Sequence, residues 1–113
     1  MRNTRFSIAA REEMDSYAAY IGKDSPEAAS RFLRAARLTA ADLAAFPYIG
    51  REMILWRLRV PGIGRLRIIG FPKHFVVHRV TPGTIDVLSV SHGPRNLPKV
   101  MRALWAHPAR EKF

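Results

Sequence analysis

The hydrophobic period of this sequence changes from helical to strand-like at Pro47, and that change limits which elements the chain can form. Before Pro47, apolar residues recur three or four positions apart, which is the period of a helix with one buried face. After Pro47, short β-branched and aromatic runs alternate with polar residues, as is typical of strands. The sequence therefore predicts helices in its first half and a sheet in its second half.

Two helices are predicted before Pro47. The first covers about 9–22, where the apolar positions keep to one helical face. The second begins near Pro26, because Ser25 can cap free amide groups and proline suits a first helical turn. It ends at Pro47, whose missing amide hydrogen stops a helix. Together they predict a helical hairpin.

The sheet is predicted to be an antiparallel meander that follows a short N-terminal strand at 5–8. Turn residues separate the later strands, and closing the last hairpin at 81–84 places Arg79 opposite Asp86. Apolar spacing after Leu97 predicts that 97–113 form a short terminal helix or tail. The predicted strands are 55–60, 65–69, 74–80 and 85–91, and the predicted turns are 61–64, 70–73 and 81–84.

Length and composition indicate a single domain over residues 1–113. A chain of 113 residues, 48% of them hydrophobic, fits one compact domain with a core of its own. It contains no cysteine, which excludes disulfides, zinc-thiolate sites and a cysteine nucleophile. We find no signal-peptide pattern and no run near the roughly 18 apolar residues of a membrane span. The expected location is the cytoplasm, without a membrane partner.

The charge of the chain is strongly basic and unevenly distributed. Nineteen Lys and Arg against nine Asp and Glu give a net charge of +10. Residues 1–50 hold seven basic and six acidic side chains, whereas residues 51–113 hold twelve and three. Expected partners are therefore polyanions, namely nucleic acid, an acidic protein segment or anionic lipid, and they should bind mainly to the second half.

Several familiar kinds of site are disfavoured. His74 and His78 would lie roughly 13 Å apart along a strand, too far to share one metal ion. Strand alternation puts Ser91 and His92 on opposite faces of a sheet, which disfavours a serine nucleophile. The glycines at 62–64 match neither a dinucleotide loop nor a phosphate loop. We therefore expect neither a metal nor a cofactor.

The arginines are the strongest candidates for function. An arginine can bind phosphate or carboxylate through two parallel hydrogen bonds, which suits an RNA backbone or an acidic peptide. The alternative is that many of them simply solvate exposed faces. On or beside the predicted strands lie Arg57, Arg59, Arg65, Arg67, Arg79 and Arg95, and on the second helix lie Arg31, Arg34 and Arg37.

The order of elements and several motifs resemble the RelE/ParE toxin superfamily of type II toxin-antitoxin modules. The apolar strand ending in His78-Arg79 and the following turn His92-Gly93-Pro94-Arg95-Asn96 are similar to the ParE-type ending. Pro47 with Gly50, Leu66-Arg67 and Gly70-Phe71 match further landmarks of that group. Three positions depart from the pattern: His78 stands where Tyr is common, Ser91 where Leu is common and Asn96 where Asp is common.

This resemblance implies an α+β fold with a strand, a two-helix hairpin and an antiparallel meander. It also implies a toxin that forms a hetero-oligomer with a co-encoded antitoxin, whose flexible and often acidic tail wraps the toxin surface. ParE-like members poison DNA gyrase by binding, whereas RelE-like members cut messenger RNA on the ribosome. The ParE-type landmarks are the better match here.

The two branches need different residues. For a metal-independent nuclease, Arg67, His92 and Arg95 could supply the reacting groups and Arg65 or Lys73 could hold phosphate. The sequence has no tyrosine after Tyr48 to support them. We therefore favour an inhibitor that acts by binding, with RelE-like cleavage as the alternative and a non-toxic nucleic-acid-binding module as a third possibility. The predicted partner-binding residues are Arg31, Arg34, Arg59, Arg65, Arg67, His92 and Arg95.

Overall fold

The computed structural model describes residues 2–55 and 58–93, with side chains described outside 51–61. It contains two helices and a five-stranded sheet. The helices are α1 (Ile8–Gly22) and α2 (Pro26–Ala45), and the strands are β1 (Asn3–Phe6), β2 (Arg51–Leu55), β3 (Leu58–Ile68), β4 (Phe71–Val80) and β5 (Thr84–His92).

The first strand ends earlier than predicted because Ser7 begins a helix. Its Oγ accepts a hydrogen bond from the amide of Ala10 at 3.0 Å, which is the geometry of a helix N-cap. The same hydroxyl donates to the carbonyl oxygen of Leu88 at 3.1 Å. Ser7 thus starts α1 and fixes it to β5, so Ile8 belongs to the helix and not to the strand.

The predicted bounds of the second helix are confirmed. Ser25 Oγ accepts from the amide of Ala28 at 3.1 Å, and Pro26 opens the first turn. The helix stops at Ala45, and Phe46 caps it just before Pro47.

The sheet has the order β1-β5-β4-β3-β2 and is mixed. Strands β2 to β5 form the predicted antiparallel meander, but β1 pairs in parallel with β5. Arg79 lies opposite Asp86 and Val80 opposite Ile85, which confirms the predicted register of the last hairpin.

The predicted turn at 61–64 is wrong, because these residues lie within β3. Glu52 pairs with Gly64 and Ile54 with Arg59, so a single residue of β2 opposes four residues of β3. Gly62 has a φ of 76°, which glycine adopts without the strain that a side chain would bring. Proline and glycine here make a bulge inside a strand. The strand predicted at 55–60 is accordingly divided, with Leu55 ending β2 and Leu58 beginning β3.

Both helices pack against the sheet, α2 across several strands and α1 mainly along β5. Val76 is fully buried against them, and its neighbours Leu66 and Val90 on the flanking strands join the same core. The opposite face carries alternating residues such as Arg65, Arg67, Phe75 and Val77. The largest fully buried apolar side chains are Phe32, Leu43, Ile68, Val76, Val77, Ile85, Val87 and Val90.

Some predictions fall outside the described residues. These are the terminal helix or tail at 97–113 and the positions of Arg57 and Arg95. Among the described helices, none is long and apolar enough to cross a membrane.

Candidate partner-binding surfaces

The first candidate surface lies on the sheet face that points away from the helices. Arg67 on β3 lies directly opposite Phe75 on β4. The guanidinium carbons of Arg65 and Arg67 lie 5.1 and 5.7 Å from the centre of the Phe75 ring, within cation–π range. We call these three residues the arginine face. Ring contact orients both guanidinium groups, and Arg67 remains exposed to meet a carboxylate or a phosphate.

The second candidate surface follows α2. Arg31 and Arg34 are exposed on this helix, and Leu38 is 53% exposed one turn after Arg34. Ile69, in the turn between β3 and β4, is 57% exposed. These side chains line one groove together with Ala35, Gly70 and Phe71, and we call it the α2 groove. It combines apolar contact area with two cations, which suits an amphipathic acidic segment.

Arg79 has a structural role. Its Nη2 donates to Asp86 Oδ2 at 3.1 Å, while Arg5 Nε donates to Oδ1 at 2.9 Å. Asp86 is only 1% exposed. Burial alone would raise the pKa of this carboxyl, but hydrogen bonds from Arg5, Thr84 and Arg79 outweigh burial and lower it. The Asp86 carboxylate therefore stabilises the junction of β1, β5 and β4.

His92 lies away from the arginine face. It pairs with His74 across β4 and β5, and their ring centres are 4.8 Å apart. The rings of Tyr17 and Phe32 also contact His74, each with its centre 5.0 Å away. Burial, and secondly the neighbouring His92, lowers the pKa of His74. Since His74 and Phe75 are consecutive strand residues, His92 and Arg67 occupy opposite faces of the sheet.

Ser91 and His92 also lie on opposite faces, as predicted. Ser91 Oγ is 3.1 Å from the Oγ of Ser89, and Ser89 in turn donates to Glu13 at 3.0 Å. His92 contacts Tyr17, which lies on the same helix α1 as Glu13.

The structure thus brings some predicted residues together and separates others. Arg31 and Arg34 share the α2 groove, and Arg65 and Arg67 share the arginine face. Arg59 lies in β3 opposite Ile54. The proposed nuclease set is not assembled among the described residues, because Arg67 and His92 occupy different faces.

One recess was missed by the sequence analysis. His78 is 2% exposed, and neither of its ring nitrogens has a hydrogen-bond partner in the described part of the chain. Burial lowers its pKa to about 4, so the ring is neutral at pH 7. The available signal was the glycine-rich stretch 61–64, which we interpreted as a turn. The lining of this His78 recess consists of Pro47, Tyr48, Gly50, Gly62, Ile63, Gly64, His78 and Val80.

The described residues contain no set of side chains arranged as metal ligands. No group of three or more His, Cys, Asp or Glu side chains there is arranged to hold an ion. His78 lies beside Gly50, where an added Cβ would be 2.6 Å from His78 Nε2, and His74 lies among aromatic rings.

Comparison with known proteins identifies the class of this fold. A solved structure described as the chromosomal ParDE TA system from P. aeruginosa aligns with a TM-score of 0.64 and 19% identity. The alignment covers 82% of this chain and 97% of that chain, so the two share a fold. A search of curated proteins found no match.

A family model establishes membership. The model for the ParE toxin of the type II toxin-antitoxin system parDE matches residues 4–97. The chain belongs to the ParE toxin family. It is therefore the toxin component of a type II toxin-antitoxin system, and its partner is a cognate antitoxin.

Proposed function

We propose that this chain inhibits DNA gyrase by binding it, and that its antitoxin neutralises it through the α2 groove and the arginine face. It would act as a single domain in the bacterial cytoplasm. The observation that carries the choice of a binding inhibitor is the separation of Arg67 from His92. Metal-independent RNA cleavage needs several acid, base and cationic groups around one phosphate, and these two side chains lie on opposite sides of the sheet.

The proposed antitoxin surface has the chemistry that an acidic, flexible tail requires. Arg31 and Arg34 are three residues apart on α2, which is slightly less than one helical turn. The exposed side chains of Leu38 and Ile69 lie beside them. Exposed apolar side chains flanked by cations favour a partner segment that alternates carboxylates with apolar residues. On the other face of the sheet, Arg67 supplies a further exposed cation that Phe75 orients.

The test of the target is a supercoiling assay. Purified gyrase, ATP and relaxed plasmid are incubated with the full chain, with and without its antitoxin, and both supercoiling and trapped cleaved DNA are measured. We expect inhibition that the antitoxin reverses. Absence of an effect at stoichiometric excess would contradict gyrase binding.

The RelE-like alternative gives a different result. A messenger RNA bound to purified ribosomes would be cleaved by the toxin, and His92→Ala and Arg67→Ala would each abolish cleavage. We expect the RNA to remain intact.

The third class, a nucleic-acid-binding module without toxicity, predicts steep salt-dependent binding to generic DNA. Expression of the chain without the antitoxin separates this class from a toxin, since only a toxin arrests growth in a manner that the antitoxin relieves.

The antitoxin surface is tested by charge reversal. We expect the double variant Arg31→Glu, Arg34→Glu to weaken antitoxin binding by at least tenfold at low salt, because both cations meet carboxylates. Arg11→Glu is the matched control, since Arg11 is exposed on α1 outside both surfaces. If the variant and the control lost the same amount of antitoxin affinity per reversed charge, the effect would be one of long-range charge. That result would contradict the proposed surface.

A further inference from the structure

The sheet carries a second buried apolar area on the side that bears the arginine face. Val77 is 0% exposed and Ile63 is 6% exposed, yet among the described residues neither belongs to the apolar cluster that the helices share with the sheet. Val77 lies directly opposite Arg65, and Ile63 precedes Arg65 by two residues on β3. Because alternate residues of a strand share a face, both lie on the same side of the sheet as Arg65 and Arg67.

The described neighbours of Val77 do not account for its burial. Arg65 directs its guanidinium group towards the ring of Phe75, and Arg79 directs its own to Asp86 at 3.1 Å. The helix α1 packs mainly along β5, one strand away from Val77. A residue in the middle of a sheet loses all contact with water only when a second layer packs about 10 Å above that face. The layer over Val77 is therefore formed by side chains outside the described set.

Two parts of the chain could supply this layer, namely the side chains of 51–61 and the segment after Gly93. The strand β2 lies three strand spacings from β5, or roughly 14 Å. Its side chains are therefore far from Ser91, which is 0% exposed on the same face. The segment after Gly93 starts beside Ser91. Gly93 has a φ of 64°, which glycine adopts readily and which ends the extended strand, so the chain can turn over the sheet here.

The sequence after Gly93 has the pattern of a helix with one buried side. Its apolar residues recur three and four positions apart. A helix over 97–105 would be about 13.5 Å long, and β3 to β5 span roughly 10 Å from centre to centre. Such a helix would cross these three strands with Val77 beneath its middle, and Lys99 and Arg102 would fall on its other side. The apolar residues are Leu97, Val100, Met101, Leu104 and Trp105.

The segment lies almost wholly beyond the part of the chain that its relatives share. The ParE family model ends at residue 97. The P. aeruginosa ParDE alignment covers 97% of that chain but 82% of this one, so nearly a fifth of this chain has no counterpart there. Membership of the family therefore does not predict what covers Val77.

We propose that residues 97–105 form a helix that packs across β3, β4 and β5 over Ile63 and Val77. Its apolar side excludes water from this face, and Lys99 and Arg102 point to solvent beside the arginine face. An acidic partner would then meet these two cations together with the arginines of the sheet. This last step rests on the proposed antitoxin surface, whereas the packing of the helix does not.

The packing is tested by NMR on the full chain with labelled methyl groups. We expect nuclear Overhauser effects between the methyl groups of Val77 and those of Val100, Met101 or Leu104. Effects from Val77 to side chains of 51–61, with none to 97–105, would overturn the proposal. The measurement uses the wild-type chain, so it does not depend on a variant that folds.

A pair of substitutions tests which side of the helix is buried. Met101→Asp places a carboxylate against the apolar sheet face, so it should lower the melting temperature and shift the methyl resonances of Val77. Ala103→Asp introduces the same group two residues later, away from the apolar side, and should change neither. Equal effects of the two substitutions would contradict a helix with its apolar side on the sheet.

Charge reversal tests the contribution to antitoxin binding. We expect the double variant Lys99→Glu, Arg102→Glu to weaken binding roughly tenfold at low salt, because both side chains lie beside the arginine face. Arg110→Glu, Lys112→Glu makes the same change of charge beyond the proposed helix, and it should cost less affinity. Equal losses would overturn the assignment of Lys99 and Arg102 to the antitoxin surface. The packing result and the Arg31, Arg34 test of the α2 groove are independent of this outcome, so the failures are distinguishable.

Discussion

Arg79 and Asp86 face each other across the last hairpin, with Arg79 Nη2 3.1 Å from Asp86 Oδ2. The other carboxylate oxygen accepts from Arg5 on β1 at 2.9 Å. One carboxylate that is 1% exposed thus connects three neighbouring strands, β1, β5 and β4.

Replacing Asp86 with Asn should destabilise the protein. The change keeps the shape of the side chain but leaves Arg5 and Arg79 without their anion. Removing one partner of a buried pair costs about 3–5 kcal/mol, and we expect about 2–3 here because the Arg5 side chain is half exposed. Urea unfolding at pH 7 measures the difference.

Lowering the pH tests whether the negative charge of Asp86 causes the stability difference between wild type and Asp86→Asn. The pKa of Asp86 is lowered in the folded protein, so its stabilisation is present above the ordinary value of 3.8 and is lost as pH falls through the lower folded value. The gap in unfolding free energy between wild type and variant should therefore shrink below pH 3.8. A gap independent of pH would show that the charge is not responsible.

His78 should make the protein less stable in mild acid. Its pKa falls from 6.5 to about 4 on folding, so the unfolded chain takes up the proton first as pH drops below 6.5. Stability is lost between pH 6.5 and 4, by up to about 3 kcal/mol for a shift of this size. His78→Phe should flatten this part of the profile.

The quantity that reports on His78 is the difference in unfolding free energy between wild type and His78→Phe at each pH. His74, whose pKa is also lowered, contributes a slope of the same sign in both proteins. Parallel profiles for the two proteins between pH 6.5 and 4 would contradict the assignment to His78.

Gly50→Ala should cost about 1–3 kcal/mol of stability, the usual cost of overpacking. A Cβ at Gly50 would lie 2.6 Å from His78 Nε2 and 3.0 Å from the carbonyl oxygen of Arg65. Gly83→Ala is the matched control, because its Cβ meets nothing within 4 Å among the described residues. Thermal unfolding should show a lower melting temperature for Gly50→Ala alone.

Leu38→Ser should weaken antitoxin binding without unfolding the toxin. Leu38 is 53% exposed in the α2 groove, so its remaining surface is available for burial by a partner. Loss of part of the 1.5–3 kcal/mol for a buried leucine corresponds to about tenfold in affinity. Tyr20→Ser, at a 71% exposed position on α1, is the control in the same calorimetric titration. An equal loss for both variants would argue against the groove.

Local signals predicted the parts of the fold that depend on neighbouring residues. Ser25 and Pro26 fixed the start of α2, because a cap and a first turn involve residues only a few positions apart. The pairing of Arg79 with Asp86 followed from the position of one turn. The N-cap role of Ser7 was not predicted, because the helix that it caps begins directly after a strand.

Long-range features could not be predicted in the same way. The alternation of strand residues predicts faces only while pairing is regular, and bulges interrupt it between Arg67 and Ile68 and between Val77 and His78. Pro61 and Gly62 suit a turn and a bulge equally well, and pairing with β2 decides between them. The His78 recess forms where the segment after α2 meets β3 and β4, which no local pattern describes.

The parallel pairing of β1 with β5 has a consequence for the order of events during synthesis. Asn3 and Phe6 lie opposite Thr84 and Val87, so the N-terminal strand has no sheet neighbour until about eighty further residues have been made. Contacts so distant along the chain form slowly, because a long loop must close first. A growing chain on the ribosome therefore carries an unfinished sheet edge for most of its translation. We therefore expect the sheet of the toxin to be completed only after β5 has been made.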